Sequence, residues 1–269
     1  MRKMTRIAAS TIASRLGAAA LSVLVGFGGV IPSAMAAEAD AKRLLKAMSD
    51  YMAAQKSISF QYDTVLEIVT KDNQKLALAS SGKVTRNQPD KLRTTRTGGF
   101  ADVEVLFDGK TLTLLGKTEN VYGQVEAPGT IDQLIDTLRA KGRPVPGADL
   151  LVSNAYDKLM ANVVNVMDLG SGVINGVECD HFAFRTKDLD WQIWVAQGAT
   201  PYPCRYVITS KKTAQAPQYS VTVRDWKAGD AVGAEDFSFK NTSGAKQMDL
   251  TKLPNMDELP QVFAVGGKK

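Results

Sequence analysis

Cys179, Asp180 and His181 stand side by side, and a second cysteine, Cys204, follows further along the chain. On an extended strand, residues 179 and 181 share one face while Asp180 points the other way. A cysteine and a histidine so placed have the types needed for a nucleophile with its base, or for part of a metal site. His181 is the sole histidine, however, and there are two cysteines. Such a set cannot complete a zinc site without recruiting carboxylates. The acidic pairs Asp188/Asp190 and Glu235/Asp236 fall where turns are expected and where Asp is at home. No G-x-S-x-G, H-E-x-x-H or phosphate-loop pattern occurs. The sequence therefore selects no catalytic residue, metal ligand or cofactor. The expectation is a protein that is not an enzyme, with a hydrolase of hidden site as one rival.

The cysteines draw attention to the compartment. Arg2, Lys3, Arg6 and Arg15 make a basic start, an apolar run follows from Gly17 to Ile31, and Ala34 and Ala36 flank Met35. This is the pattern of a cleaved export signal ending at Ala36. The apolar run is about fifteen residues, short of the roughly 20 needed to cross a bilayer. No later segment is long and apolar enough to do so. The expected organisation is a signal at 1–36 and one domain at 37–269, secreted to the periplasm. Removing the signal takes four of the 33 basic residues and none of the 28 acidic ones, leaving 29 against 28. The basicity belongs to the signal and gives no reason to expect nucleic-acid binding.

In an oxidising compartment Cys179 and Cys204 invite a disulfide, worth roughly 3–4 kcal/mol in the chain-entropy model. Strand spacing argues the other way. If 174–186, 189–196 and 203–210 form a meander, the cysteines lie on strands separated by a third, roughly 9.6 Å apart. That is too far to bridge, unless a bend or bulge near "TPYPC" brings them together.

The elements that must position these residues follow from periodicity. Ala41, Leu44, Leu45, Met48, Tyr51 and Met52 recur at helical spacing, predicting a helix over 39–56 with Asp40 as its N-cap. The period then becomes two, with Ile58, Phe60, Tyr62, Leu66 and Ile68 alternating with polar residues. Further alternating runs, with "DGK" (108–110) as a tight turn, give roughly eleven strands in sequential hairpins. The predicted fold is mainly β, a single antiparallel sheet that curls into an incomplete barrel. Trp191 and Trp194, three apart, should face opposite sides of it. Residues 241–269 lack periodicity and are expected to be irregular.

The strands are interrupted at 130–161. Thr130 and Gln133 match a capping box, and Ile131, Leu134, Ile135 and Leu138 form one apolar face. Two more apolar patches follow, around Leu150 and around Leu159. Helices of this kind inserted mid-sheet must cover its apolar face. They either complete a dry core or cap a cavity.

The stretch "GKVTRNQPDKLRTTRTGGFADVEVLFDGKTLTLL" resembles the bacterial lipoprotein-carrier fold, the LolA/LolB-like superfamily. "CDHFAFRTKDLDWQIWV" followed by "PYPCRYVITS" resembles an uncharacterised family of predicted periplasmic proteins that share this fold. The resemblance implies a half-barrel with a helical lid over an apolar groove, holding a lipid, an acyl chain or another elongated apolar ligand. It implies that Phe60 and Tyr62 on the sheet and Leu134, Ile135 and Leu138 on the lid touch that ligand. The arginine of the carriers' Arg-Pro pair latches the lid, and Arg86 is the nearest arginine here. The pair itself is broken in "RNQP", which displaces the proline to Pro89. A second rival is an envelope sensor or interaction module with a protein partner.

Overall fold

The structure is a computed structural model and describes residues 34–142 and 145–252. Most of the expected export signal, and the tail beyond 252, lie outside the described residues.

Helix α1 spans Ala34–Ala54. Ala41, Leu45, Met48 and Met52 are all buried to within 1%. Their spacing of four, three and four residues lays one stripe along the helix. The helix starts earlier than its polar pattern suggests. Asp40 is therefore no cap; it lies inside the helix and pairs with Arg43 at 3.1 Å.

The first meander comprises β1 (Ser57–Val69), β2 (Lys75–Asn87), β3 (Lys91–Gly98), β4 (Asp102–Phe107), β5 (Thr111–Gly116) and β6 (Val121–Glu126). Between β4 and β5, the Asp108 carboxylate accepts from the N–H groups of Lys110 and Thr111. Gly109 sits there at φ 85°, a conformation that favours glycine. Helix α2 (Ile131–Ala140), a short 3-10 helix (Ala148–Leu150) and α3 (Ala155–Met160) follow. The second meander comprises β7 (Asn165–Ile174), β8 (Val177–Arg185), β9 (Leu189–Ala196), β10 (Pro203–Ser210) and β11 (Gln218–Ala228).

The two meanders join through β1 and β11, which pair antiparallel from Ile58↔Ala228 to Leu66↔Tyr219. A two-residue strand, β12 (Lys246–Gln247), then adds in parallel to β6. The result is one open sheet of 12 strands, ordered β12-β6-β5-β4-β3-β2-β1-β11-β10-β9-β8-β7. Periodicity predicts eleven. The twelfth is too short to show one, and part of the supposedly irregular tail thus has a fixed place.

One face of the curved sheet, the inner face, carries the helices. Its strands contribute Ile58, Phe60, Val84, Leu92, Phe107 and Ile193 to a single buried cluster with α1, α2 and α3. Trp191 joins this cluster, while Trp194 lies on the outer face, as their spacing predicts.

Candidate functional site

The helical cover is built from α2 to α3. Thr130 caps α2 with a capping box, its hydroxyl accepting from Gln133 N–H and its own N–H donating to the Gln133 side chain. That cap orients the apolar face. Ile131, Leu134 and Ile135 are buried in the inner cluster, and Leu138 packs half-buried at its margin. The rim of the cover is polar. Asp132 accepts from Ser153 N–H at 3.1 Å, Lys158 pairs with Asp136 at 2.7 Å, and Arg139 pairs with Asp149. Ser49 of α1 accepts from the Tyr156 N–H at 2.9 Å, tying α3 to α1.

Arg86 lies beneath this cover at 0% exposure. Its position on β2 points it inward, two residues on from Val84. One terminal nitrogen donates to Leu151 O at 2.8 Å, beside the 3-10 helix. The other donates to Met52 O at 2.8 Å and Gln55 O at 3.2 Å, at the C-terminal end of α1. There the helix carries its unpaired carbonyls and partial negative charge. The Gln88 side chain lies 3.3 Å from both terminal nitrogens, with its amide oxygen toward them in the orientation that satisfies both groups. Burial lowers the Arg86 pKa to about 10, and Asp132 opposes that shift. The hydrogen-bond partners of Arg86 among the described residues are neutral carbonyls.

Phe60 and Tyr62 belong to an aromatic row on the inner face. A bulge on β11 opposite Phe60, with Asp225 at φ 54°, shifts the alternation so that Trp226 faces inward. Trp226 stacks on Phe60 at 5.5 Å and on Tyr202 at 4.9 Å. Phe60 meets Tyr62 edge-on at 6.5 Å. The Tyr62 ring lies over Gly82, where a Cβ would come within 2.6 Å of it, and its hydroxyl donates to Thr95 O at 2.8 Å. The five expected contact residues thus lie in or against one apolar cluster.

One cleft, of about 250 Å³, lies on the outer side and is lined by Lys83, Thr85, Lys227 and Glu235 among others. A smaller one, of about 20 Å³, borders the β3–β4 turn. Neither is lined by α2, the 3-10 helix or α3. The cover sits down on the sheet, and the inner cluster is packed beneath it.

The cysteines meet. Cys179 pairs in register with Ala196, the last residue of β9. The β9–β10 register shifts between Pro203 and Arg205, which puts a bulge at Cys204. The two sulfurs therefore meet past the end of the intervening strand, 2.7 Å apart. A regular ladder would hold them two strand spacings apart, and this one ends in a bulge. The pair lies where a disulfide would form.

His181 stacks on Trp194 at 3.8 Å and hydrogen-bonds Gln192 Oε1 at 3.0 Å. Burial lowers its pKa, with the Gln192 contact opposing. Burial also pushes both cysteine thiols above their ordinary range, against the low pKa of a reactive nucleophile. Among the described residues no group of three or more His, Cys, Asp and Glu could hold a metal ion.

Glu235, a turn residue by its sequence context, is a hub. It pairs with Arg93 at 2.8 Å and Lys83 at 3.3 Å on the outer face. Arg93 also meets Glu104 at 2.6 Å, and Glu104 meets Lys117 at 3.3 Å. With Phe239 against Tyr122 at 4.7 Å and β12 beyond, residues 229–247 form a strap across the outer face of the first meander. Nothing in the periodicity reveals it, since charges and one ring hold it down. Lys211 and Lys212, which sequence alone suggests are merely solvated, pair with Asp190 and Asp188.

An open, curved sheet with helices closed over one apolar face is the half-barrel plan of the lipoprotein-carrier class. Within that class, the chain belongs to the family described as "Predicted periplasmic protein (DUF2092)", which matches residues 41–251, and the protein is accordingly periplasmic. No described helix is long and apolar enough to cross a membrane. Among solved structures the chain is similar to LprF from Mycobacterium bovis, at 15% identity over 75% of this chain and 98% of that one, with a TM-score of 0.44. It is similar to the lipoprotein LppX from Mycobacterium tuberculosis at 13% identity, covering 74% of this chain and 100% of that one, with a TM-score of 0.38. An uncharacterised conserved protein from Thermus thermophilus is similar at 9% identity, covering 78% of this chain and 99% of that one, with a TM-score of 0.47. No curated protein matches the sequence.

Proposed function

We propose that this protein binds a lipid, an acyl chain or another elongated apolar group on the inner face of its sheet, in envelope lipid or lipoprotein traffic. In this reading α2, the 3-10 helix and α3 are a lid, and Arg86 is its latch. Phe60, Tyr62, Leu134, Ile135 and Leu138 touch the ligand once the lid lifts. The observation that carries the reading is Arg86. A wholly buried cation donates to Leu151 O on the cover rather than to a carboxylate, so the bond can be released without stranding a buried anion. The buried Trp226 Nε1, which has no hydrogen-bond partner among the described residues, adds a donor on the same aromatic row. We further propose cleavage after Ala36, a single domain from residue 37 onward, and a disulfide between Cys179 and Cys204.

Each buried methylene contributes about 0.8 kcal/mol, so a partly enclosed chain of about ten reaches micromolar affinity after association costs. Titration of the purified protein with a fluorescent fatty acid tests this. Saturable binding is expected, weakened about tenfold by Leu138→Asp. The variant should melt close to wild type, because Leu138 is only half-buried. Absence of saturable binding to the wild type would overturn the reading.

A second reading, an interaction module, has its own observation. The edge strand β7 carries a single charged residue, Asp168, and exposes Met167 at 53%, Leu169 at 42% and Val173 at 65%. Edges so little protected invite strand addition. A stable protein complex formed without co-purifying lipid would favour it.

A further inference from the structure

We infer that the ligand is an anionic amphiphile and that Arg96 receives its charged head. This rests on the apolar-ligand reading above and deepens it.

The registers decide which residues face inward. Tyr62 pairs with Gly82, Gly82 with Arg96, and Arg96 with Val103, so these four form one row across β1 to β4. Side chains alternate faces along a strand, and Leu92 of β3 lies in the inner cluster. Thr94 and Arg96 therefore face inward as well. Carried through every strand from β1 to β6 and from β9 to β11, the same alternation puts two charged residues on the inner face, Arg86 and Arg96. Both are cations, and both are arginines. The outer face instead carries charges of both signs, with Arg93 paired to Glu104 and Arg224 to Asp63.

The two arginines sit at different depths. Arg86 pairs with Leu92, under the helices. Arg96 lies four residues further along β3, roughly 13 Å away at the rise of a strand. There the inner face is only half-covered; Tyr62, Thr94, Arg96, Val105 and Leu114 are all half-buried. Arg96 also borders the small cleft at the β3–β4 turn, together with Ser80, Gly98 and Phe100. Phe60 lies one row closer to the helices, opposite Val84 and then Thr94. The arrangement grades from an apolar, aromatic depth to a cation at the mouth. It fits a ligand whose tail points toward Phe60 and α2 and whose carboxylate or phosphate meets the Arg96 guanidinium, a planar fork suited to both. A neutral head would gain far less from it.

The test compares dodecanoate, dodecyl phosphate and methyl dodecanoate as probes, each below its aggregation limit, on wild type, Arg96→Gln and Arg96→Lys. The wild type should bind one or both anionic probes at least about tenfold tighter than the ester, the scale of a charge-assisted pair. Arg96→Gln should erase that preference while leaving ester affinity and melting temperature unchanged, and Arg96→Lys should restore part of it. Tighter binding of the phosphate or of the carboxylate assigns the head. Equal affinities in the wild type, or a preference that survives Arg96→Gln, would overturn the role of Arg96 while the apolar-ligand reading stands. Binding of none of the three probes would overturn both.

Discussion

Glu235 crosses the outer face of the sheet and meets Arg93 and Lys83; Leu151 crosses the inner face and meets Arg86 through its backbone carbonyl. Both contacts hold a covering segment against strands of the first meander, and they differ in kind. The outer strap is fixed by paired charges, by the Phe239–Tyr122 ring contact and by a ladder to β6. The inner cover has paired charges along its rim; against the sheet it relies on apolar burial and on hydrogen bonds to neutral carbonyls. Breaking a buried ion pair leaves a charge stranded, whereas freeing a carbonyl leaves a group that water can satisfy. A permanent cover and a releasable one call for different chemistry, and each face has the kind suited to it.

The strongest change should come from the outer side. Reduction of the proposed Cys179–Cys204 bond, or Cys204→Ser, should cost roughly 3–4 kcal/mol. Thiol labelling of denatured, unreduced protein should modify neither residue; modification of both would remove this tie from the outer face. Next is the latch. Arg86→Met removes the donor to Leu151, Met52 and Gln55 and should cost about 3 kcal/mol, since hydrogen bonds from a charged group are the stronger kind. Chemical denaturation gives the cost. Hydrogen exchange should show the loss concentrated in 148–160, and a loss spread evenly over the sheet would blur the distinction between cover and scaffold.

The strap gives a weaker response. Glu235→Gln should lower stability by about 1 kcal/mol, because its partners are partly exposed. It should leave exchange in 131–160 unaltered. Faster exchange there would mean that the two faces are coupled.

The weakest response is pH-dependent and belongs to His181 on the outer face. Its folded pKa lies below the ordinary histidine value near 6.5, chiefly through burial. A histidine with a depressed pKa contributes stability that is present above about 6.5 and lost as pH falls through the folded value. The melting temperature should therefore fall more between pH 7 and pH 5 in wild type than in His181→Gln. Equal slopes would show that His181 has no part in the pH dependence.

Much of this was legible in the residues. Alternation from Ile58 to Ile68 marks β1, the capping box at Thr130 marks the start of α2, and the spacing of Trp191 and Trp194 gives their opposite faces. Long-range closure was not. The pairing of β1 with β11 joins strands far apart in sequence, and both alternate as any half-buried strand does. The cysteine contact depends on a bulge at Cys204 and on β9 stopping at Ala196, features that a regular ladder hides. Glu235 lies in a segment without periodicity, and its role exists only once β2, β3 and β4 stand beneath it. Arg86 was reached through family resemblance. Its inward direction follows from its parity with Val84, a signal available in the sequence once the strand is assigned.

Hydrogen exchange of the wild-type protein, with and without saturating dodecanoate, is the sharpest probe of a releasable inner cover. In the free protein 131–160 should exchange faster than β10 and β11, because a lid opens below the cost of global unfolding. The fatty acid should alter exchange in 131–160 and in β3 while leaving 229–247 unaltered. Protection of 131–160 equal to that of β10 and β11, unmoved by the fatty acid, would contradict a releasable cover and make it part of a dry core.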